Sequence, residues 1–308
     1  MNPFTRRRFV AATAAATIAP ALTSRGDEET EAGWIDAHVH VWTKDREKYP
    51  ISPDFNEASI NPEDFPPETL RAEQKGTGVE RTVLIQMSFY RFDNSYMLDV
   101  IASDPDRYRG VALVDESEPG VARRMADLAA GGVRGFRLSG SPERVKEWES
   151  SPGINEMWKA GAEQGLAMCL LVNPEALPVV HRMCRKHPET PVVIDHFARV
   201  GVRGEIDPGE LAALLALAEF DQIHVKTSAF YALGEKRPPY TDLAPMFRQV
   251  RDAFGSGRLM WGSDCPFQVQ GEHTYEASVA LVRDRLDFLS EEEKADIFRN
   301  TAEKVFFG

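Results

Sequence analysis

Apolar and polar residues alternate from Trp34 to Trp42, reading W-I-D-A-H-V-H-V-W, after a polar opening. Successive side chains on a strand point to opposite faces. The pattern therefore predicts a strand with Asp36, His38 and His40 on one face and Ile35, Ala37, Val39 and Val41 on the other. Further strand signals follow at Thr82–Ser88, Tyr108–Asp115, Gly132–Ser139, Ala167–Asn173, Pro191–His196, Ile223–Ser228 and Leu259–Asp264. Helix-like segments separate them, at 67–77, 95–103, 118–130, 154–164, 178–186, 207–220, 243–254, 276–289 and 290–306. The 118–130 segment sets Val121, Met125, Leu128 and Ala129 at helical spacing. In the last segment, Ser290 followed by Glu293 reads as a capping box.

Strands alternating with helices predict an α/β fold, a single-domain (β/α)8 TIM barrel over residues 32–308. A doubly wound sheet usually places a glycine-rich turn after its first strand. Here the first strand runs instead into a long polar loop, residues 43–64. Functional groups of a barrel sit at the carboxyl ends of its strands. The predicted ends carry His38 and His40, Gln86 and Ser88, Asp115, Arg137 and Ser139, Asn173, Asp195 and His196, Lys226 and Ser228, and Asp264.

Composition is that of a globular chain, 43% hydrophobic and 27% charged. A formal charge of -12 disfavours nucleic acid and anionic membranes as partners, and a small-molecule substrate is expected. Oligomeric state is not legible. Residues 1–24 read as a twin-arginine export signal, with Arg6 and Arg7 as the pair, an Ala/Thr-rich apolar run, and Ala19-Pro20-Ala21 as cleavage site. This predicts a periplasmic or exported protein. Residues 25–31 are acidic, polar and expected to be disordered. Cys169, Cys184 and Cys265 form no disulfide framework, although Cys169 and Cys184 could pair.

The two imidazoles of the first strand can converge on one atom, a metal ion or a substrate oxygen. The ordered motifs are D-x-H-x-H-x-W, G-V-R-G-x-R, D-H, K-x-S and W-G-S-D, from Asp36 to Asp264. Together they resemble the amidohydrolase superfamily. More narrowly they resemble the amidohydrolase-related branch of TIM-barrel hydrolases that includes sugar-lactone lactonases and the 2-pyrone-4,6-dicarboxylate lactonase. The resemblance runs to the N-T-A-E-K-V-F ending at Phe306. It implies water attack on a carbonyl carbon. Asp264 would take the proton from water, His38 and His40 would bind a metal or polarise the carbonyl, and His196 would contact substrate or oxyanion.

The chemistry is coherent on its own terms. Water needs a carboxylate base or a metal, and the developing alkoxide needs donors, which the histidines and Lys226 can supply. Ring opening also needs an acid for the ring oxygen, and His196 is the candidate. Arg137, Lys226, Gln86, Ser139 and Tyr90 are candidates for substrate contact, although Arg137 and Lys226 could equally form structural ion pairs. At the position of Ser139 relatives often carry asparagine. Asp195 reads as an outer hydrogen-bonding group, Asp36 as an orienting group in the barrel interior, and His224 as packing. Metal-loaded relatives usually carry a histidine at the end of strand five, where this chain has Asn173. His38, His40 and Asp264 remain as a three-ligand set, or four if His196 joins, suited to one zinc ion. Relatives that work without metal make the metal-free alternative equally open. The reading is a hydrolase that opens a lactone or similar cyclic ester. Nonoxidative decarboxylation, amide hydrolysis and a noncatalytic binding protein are the alternatives.

Overall fold

The computed structural model describes Met1 and residues 33–308. Apart from Met1, the expected export signal and acidic segment lie outside the described residues. Eight parallel strands pair in chain order. They are β1 (Trp34–Val39), β2 (Val79–Ile85), β3 (Tyr108–Ala112), β4 (Val133–Ser139), β5 (Ala167–Leu171), β6 (Val192–Ile194), β7 (Ile223–Ser228) and β8 (Leu259–Gly262). The ends of β8 and β1 meet through backbone bonds, Asp264 N to His38 O and His40 N to Cys265 O, each 2.8 Å. The result is the expected (β/α)8 barrel.

Two apolar layers follow from the strand period. Ile35, Ala37, Val83, Ile85, Val111, Cys169, Val193 and Met260 fill the barrel interior. The alternate residues, such as Leu84, Phe136, Ile194 and Trp261, pack outward against the helices. The chain end plugs the amino-terminal mouth of the barrel. There Phe306 joins the interior layer, and Arg81 and Arg109 lie 4.8 and 4.9 Å from the Phe307 ring. Cys169 belongs to the interior and Cys184 to the outer layer, and both are free thiols, so the possible Cys169–Cys184 pairing is not formed. Among the described residues, no helix is long and apolar enough to cross a membrane.

Helix ends carry their own chemistry. In α1 (Pro152–Gln164), Ser151 accepts from Ile154 N, proline opens the first turn, and Gly165 closes it at φ 67°. The capping box at Ser290 and Glu293 is present as expected. A short helix over Pro142–Lys146 was not signalled by the sequence. The predicted 207–220 helix is α-helical over Pro208–Ala216 and continues as a 3-10 turn over Leu217–Glu219, with Asp207 as its cap rather than its first residue.

The first strand departs from strict alternation. Asp36 pairs with Thr82 and Val39 with Leu84, so three steps on β1 answer two on β2. This is a bulge, and it flips the side-chain parity beyond it. Ala37 and His38 therefore both face inward. Asp36 points to the opposite side, against the expectation that it shares a face with His38 and His40. There it accepts from the Tyr275 hydroxyl at 2.7 Å, from Ser263 N at 2.8 Å and from His38 N at 3.1 Å. The last of these bonds ties down the bulge itself. Burial raises the Asp36 carboxyl to about 6.

Candidate active site

The bulge delivers His38 and His40 to the carboxyl end of the barrel, where β8 leaves space for them. A Cβ on Gly262 would stand 2.8 Å from the His38 Cβ and 3.0 Å from its backbone nitrogen. Only glycine admits this approach. Two residues later the chain turns through Asp264 at φ 64°, a left-handed conformation that L-residues rarely adopt. This turn aims the Asp264 carboxylate back over the barrel.

Strand β6 ends with a second unusual turn. His196, Phe197, Ala198 and Arg199 all have positive φ, 54°, 51°, 53° and 59°. Each such residue costs roughly 1–2 kcal/mol, so the surroundings must enforce the turn. By strand parity Asp195, two after the interior Val193, faces inward, and His196 would face out. The left-handed turn brings His196 back to the cavity, together with Arg199.

The parts converge on Asp264. His40 Nε2 lies 3.2 Å from its Oδ1, His38 Nε2 3.6 Å from Oδ1, and His196 Nε2 3.8 Å from Oδ2. The Tyr231 hydroxyl donates to Oδ2 at 2.8 Å. Burial acts to raise the Asp264 carboxyl but is outweighed by its interactions with His196, His40 and His38, leaving it well below the usual carboxylate range. Burial lowers His196, and burial with Lys226 lowers His38 well below the ordinary imidazole value, so both are neutral at neutral pH. His196 Nδ1 is fixed by the Ser228 hydroxyl at 2.8 Å.

Beneath this face lies a buried charge group. Asp195 sits 3.1 Å from Lys226 Nζ, 3.0 Å from Arg137 Nη2 and 3.4 Å from His38 Nδ1. Burial opposes its ionisation, but Lys226, His38 and Arg137 hold its carboxyl well below the usual range. The reading of Asp195 as an outer group is corrected: it is the buried anion that orients the site. Lys226, expected as a substrate contact, is fully buried on Asp195 and does not wall the cavity. Arg137 forms the structural ion pair that the sequence allowed. It pairs with Asp195 and reaches the cavity wall, while Nη2 donates to His38 Nε2 at 2.9 Å.

The cavity above Asp264 has a volume of about 360 Å³ and is walled by His40, Gln86, Arg137, Ser139, His196, Arg199 and Tyr231 among apolar neighbours such as Leu113, Leu171 and Phe267. Gln86 and Ser139 lie where the sequence placed them. Tyr90 does not. It is buried among aromatic rings, and its hydroxyl engages the Thr43 backbone. Strand β5 contributes Leu171 to the wall rather than a metal-binding group. The sequence gave no sign of Arg199 at the cavity or of the Tyr231 bond to Asp264.

The amidohydrolase family model matches residues 35–308. The chain belongs to the amidohydrolase family. Among its relatives, the L-fucono-1,5-lactonase of Burkholderia ambifaria is 30% identical over 87% of this chain and 93% of the relative. The 2-pyrone-4,6-dicarboxylate hydrolase of Comamonas testosteroni is 28% identical, covering 79% of each chain. A solved amidohydrolase from Burkholderia multivorans, with zinc bound, superposes at a TM-score of 0.73 with 23% identity, covering 90% of this chain and 99% of that one. This amidohydrolase is thus a hydrolytic enzyme.

The amidohydrolase site can hold a metal ion. His38, His196 and Asp264 offer ligand atoms that all lie within 4.8 Å of one another. His196 here takes the place the sequence gave to His40. Two imidazoles and a carboxylate are the donor types that suit zinc. His40 adds a second sign. Its Nδ1 donates to Ile85 O at 2.9 Å, so in the neutral ring the bare Nε2 faces Asp264 Oδ1, two acceptors 3.2 Å apart. The bond from Arg137 to His38 Nε2 occupies the lone pair a metal would use, so the two are mutually exclusive at that atom.

Proposed function

We propose that this amidohydrolase opens a lactone, or a similar cyclic ester, of a small oxygen-rich molecule, with Asp264 as the base. The carrying observation is an ionised carboxylate at the floor of a cavity, met by three imidazoles and a tyrosine hydroxyl. Water beside Asp264 gives up a proton to the carboxylate as its oxygen bonds to the carbonyl carbon. Arg137 and Arg199 at the cavity wall supply positive charge for the developing alkoxide. The bond to the ring oxygen then breaks. The proton taken up by Asp264 passes to that oxygen, directly or through His196, the acid the sequence favours, and the carboxylate is thereby restored. His196, anchored on Ser228, holds the attacking water. Zinc, if bound by His38, His196 and Asp264, would polarise the carbonyl and acidify water. The twin-arginine motif at Arg6 and Arg7 supports export to the periplasm.

The test is acid release from a lactone panel by the purified chain, with metal content measured alongside. Asp264→Asn is expected to lose about a thousandfold in kcat, the scale of a lost general base. Unchanged acid release would remove Asp264 from this role. Carbon dioxide release instead of acid would mean decarboxylation. Activity that survives complete stripping of the metal would rule zinc out of the reaction.

A further inference from the structure

The catalytic cavity does not end at its own wall. Ser88, Leu113, Arg137 and Ser139 bound it and also bound a recess of about 140 Å³. Arg91, Phe92, Glu116, Arg144 and Trp148 line that recess and a further cleft of about 500 Å³. The three spaces are neighbours that share walls in turn, from the site past Ser139 toward Arg91 and Arg144.

This run of spaces has a definite chemistry. Its guanidiniums are already neutralised, Arg91 on Asp54 at 2.5 Å and Arg144 on Glu116. Asp115 is held by the backbone and hydroxyl of Ser117. The paired guanidiniums leave no free cation there among the described residues for an anion, and the carboxylates of Asp115 and Glu147 add acceptors for hydroxyl groups. Among them stands Phe92, 43% exposed, one of the few large apolar side chains of the described residues in water. It follows Arg91, whose φ of 48° turns the chain at this point. An aromatic face surrounded by hydrogen-bonding groups suits a hydroxyl-rich ring, which presents apolar C–H faces and polar edges.

We infer that this run of spaces is a subsite for a second sugar ring, and that the natural substrate is a glycosylated aldonolactone rather than a single ring. The lactone lies over Asp264, and its glycosyl substituent passes Ser139 and stacks on Phe92. The inference rests on the lactone-opening reading and extends it. Binding energy from such a remote ring can lower KM or raise kcat for the ring that reacts.

The experiment compares cellobiono-1,5-lactone with glucono-1,5-lactone, above spontaneous hydrolysis, for the wild type and Phe92→Ala. The disaccharide lactone is expected to have about tenfold higher kcat/KM. Phe92→Ala should erase that preference and leave glucono-1,5-lactone kinetics unchanged. Equal kcat/KM for the two lactones, or a preference that survives Phe92→Ala, would overturn the subsite. So would an equal fall for both lactones, which marks a structural role. If neither lactone opens, the reaction reading fails by itself, and calorimetric binding of cellobionate against gluconate decides the subsite. Tighter cellobionate binding that Phe92→Ala abolishes supports it, and indistinguishable binding overturns it.

Discussion

The Tyr231 hydroxyl donates to Oδ2 of Asp264 at 2.8 Å, on the carboxylate edge away from His40. Burial, with Asp264 nearby, pushes the Tyr231 phenol far up, so it stays a donor across the working pH range. A donor to the ionised carboxylate favours that form. Tyr231→Phe removes it, and the Asp264 pKa must rise. The acid limb of kcat/KM, which reports the free-enzyme base, should move to higher pH, with about a tenfold fall at the optimum. A lower rate with an unmoved acid limb would show that Tyr231 only packs.

Gly262 and His38 are in contact through backbone. An added Cβ would meet a main-chain nitrogen at 3.0 Å, next to the bond from Asp264 N to His38 O that closes the barrel. Gly262→Ala is expected to cost about 1–3 kcal/mol, the usual scale for overpacking. Displacing His38 should also lower kcat by about a hundredfold, the scale of a misplacement of about 1 Å. Thermal unfolding and steady-state rates measured on one preparation check both. A variant of full activity would mean that the bulge is not held by this contact.

The strands were legible because each buried run is short and apolar and ends in a polar group. That is enough to place His38, His40, His196 and Asp264 at one mouth. The orientations were less legible, because they depend on local breaks in regularity. The bulge at Ala37 and His38 leaves the alternation of letters intact while reversing what Asp36 faces. The left-handed turn at His196–Arg199 contains no glycine to signal it, and it inverts the facing expected for Asp195 and His196. Lys226 looked like a substrate contact because a sequence shows which groups reach a strand end, not which charge awaits them there. Tyr231 reaches Asp264 from a loop 33 residues away in sequence, and no periodicity encodes such a contact.

Lys226 tests that last distinction directly. Its ammonium group lies 3.1 Å from Asp195 and 3.2 Å from His38 Nδ1, with no exposure. Lys226→Met leaves Asp195 buried with Arg137 as its remaining cation. Removing one partner of a buried pair costs about 3–5 kcal/mol, and the retained Arg137 puts this case near about 3. The kcat should fall as His38 loses its support, while KM changes by less than about twofold because Nζ does not wall the cavity. A large rise in KM at constant kcat would place Lys226 on the substrate after all.

His224 predicts how stability responds to acid. Burial first, and then Lys304, lower its imidazole to about 4, and its Nδ1 has no hydrogen-bond partner. An unfolded histidine titrates near about 6.5. Between these values the unfolded chain binds the extra proton, so stability rises with pH across the window. The contribution is complete above about 6.5 and is lost as pH falls toward 4. By pH 4 the loss from this group is about 3 kcal/mol. His38 and His196 are lowered as well and act in the same direction. Asp36, raised to about 6, acts in the opposite direction, since its contribution is lost as pH rises through that value. His224 lies away from the cavity, so His224→Gln separates its share from the others. Urea unfolding at pH 7 and pH 4 should show a pH-dependent loss about 3 kcal/mol smaller in the variant than in the wild type. The same loss in both proteins would mean that His224 is charged in the folded state, and would place the acid sensitivity in the ring around Asp264.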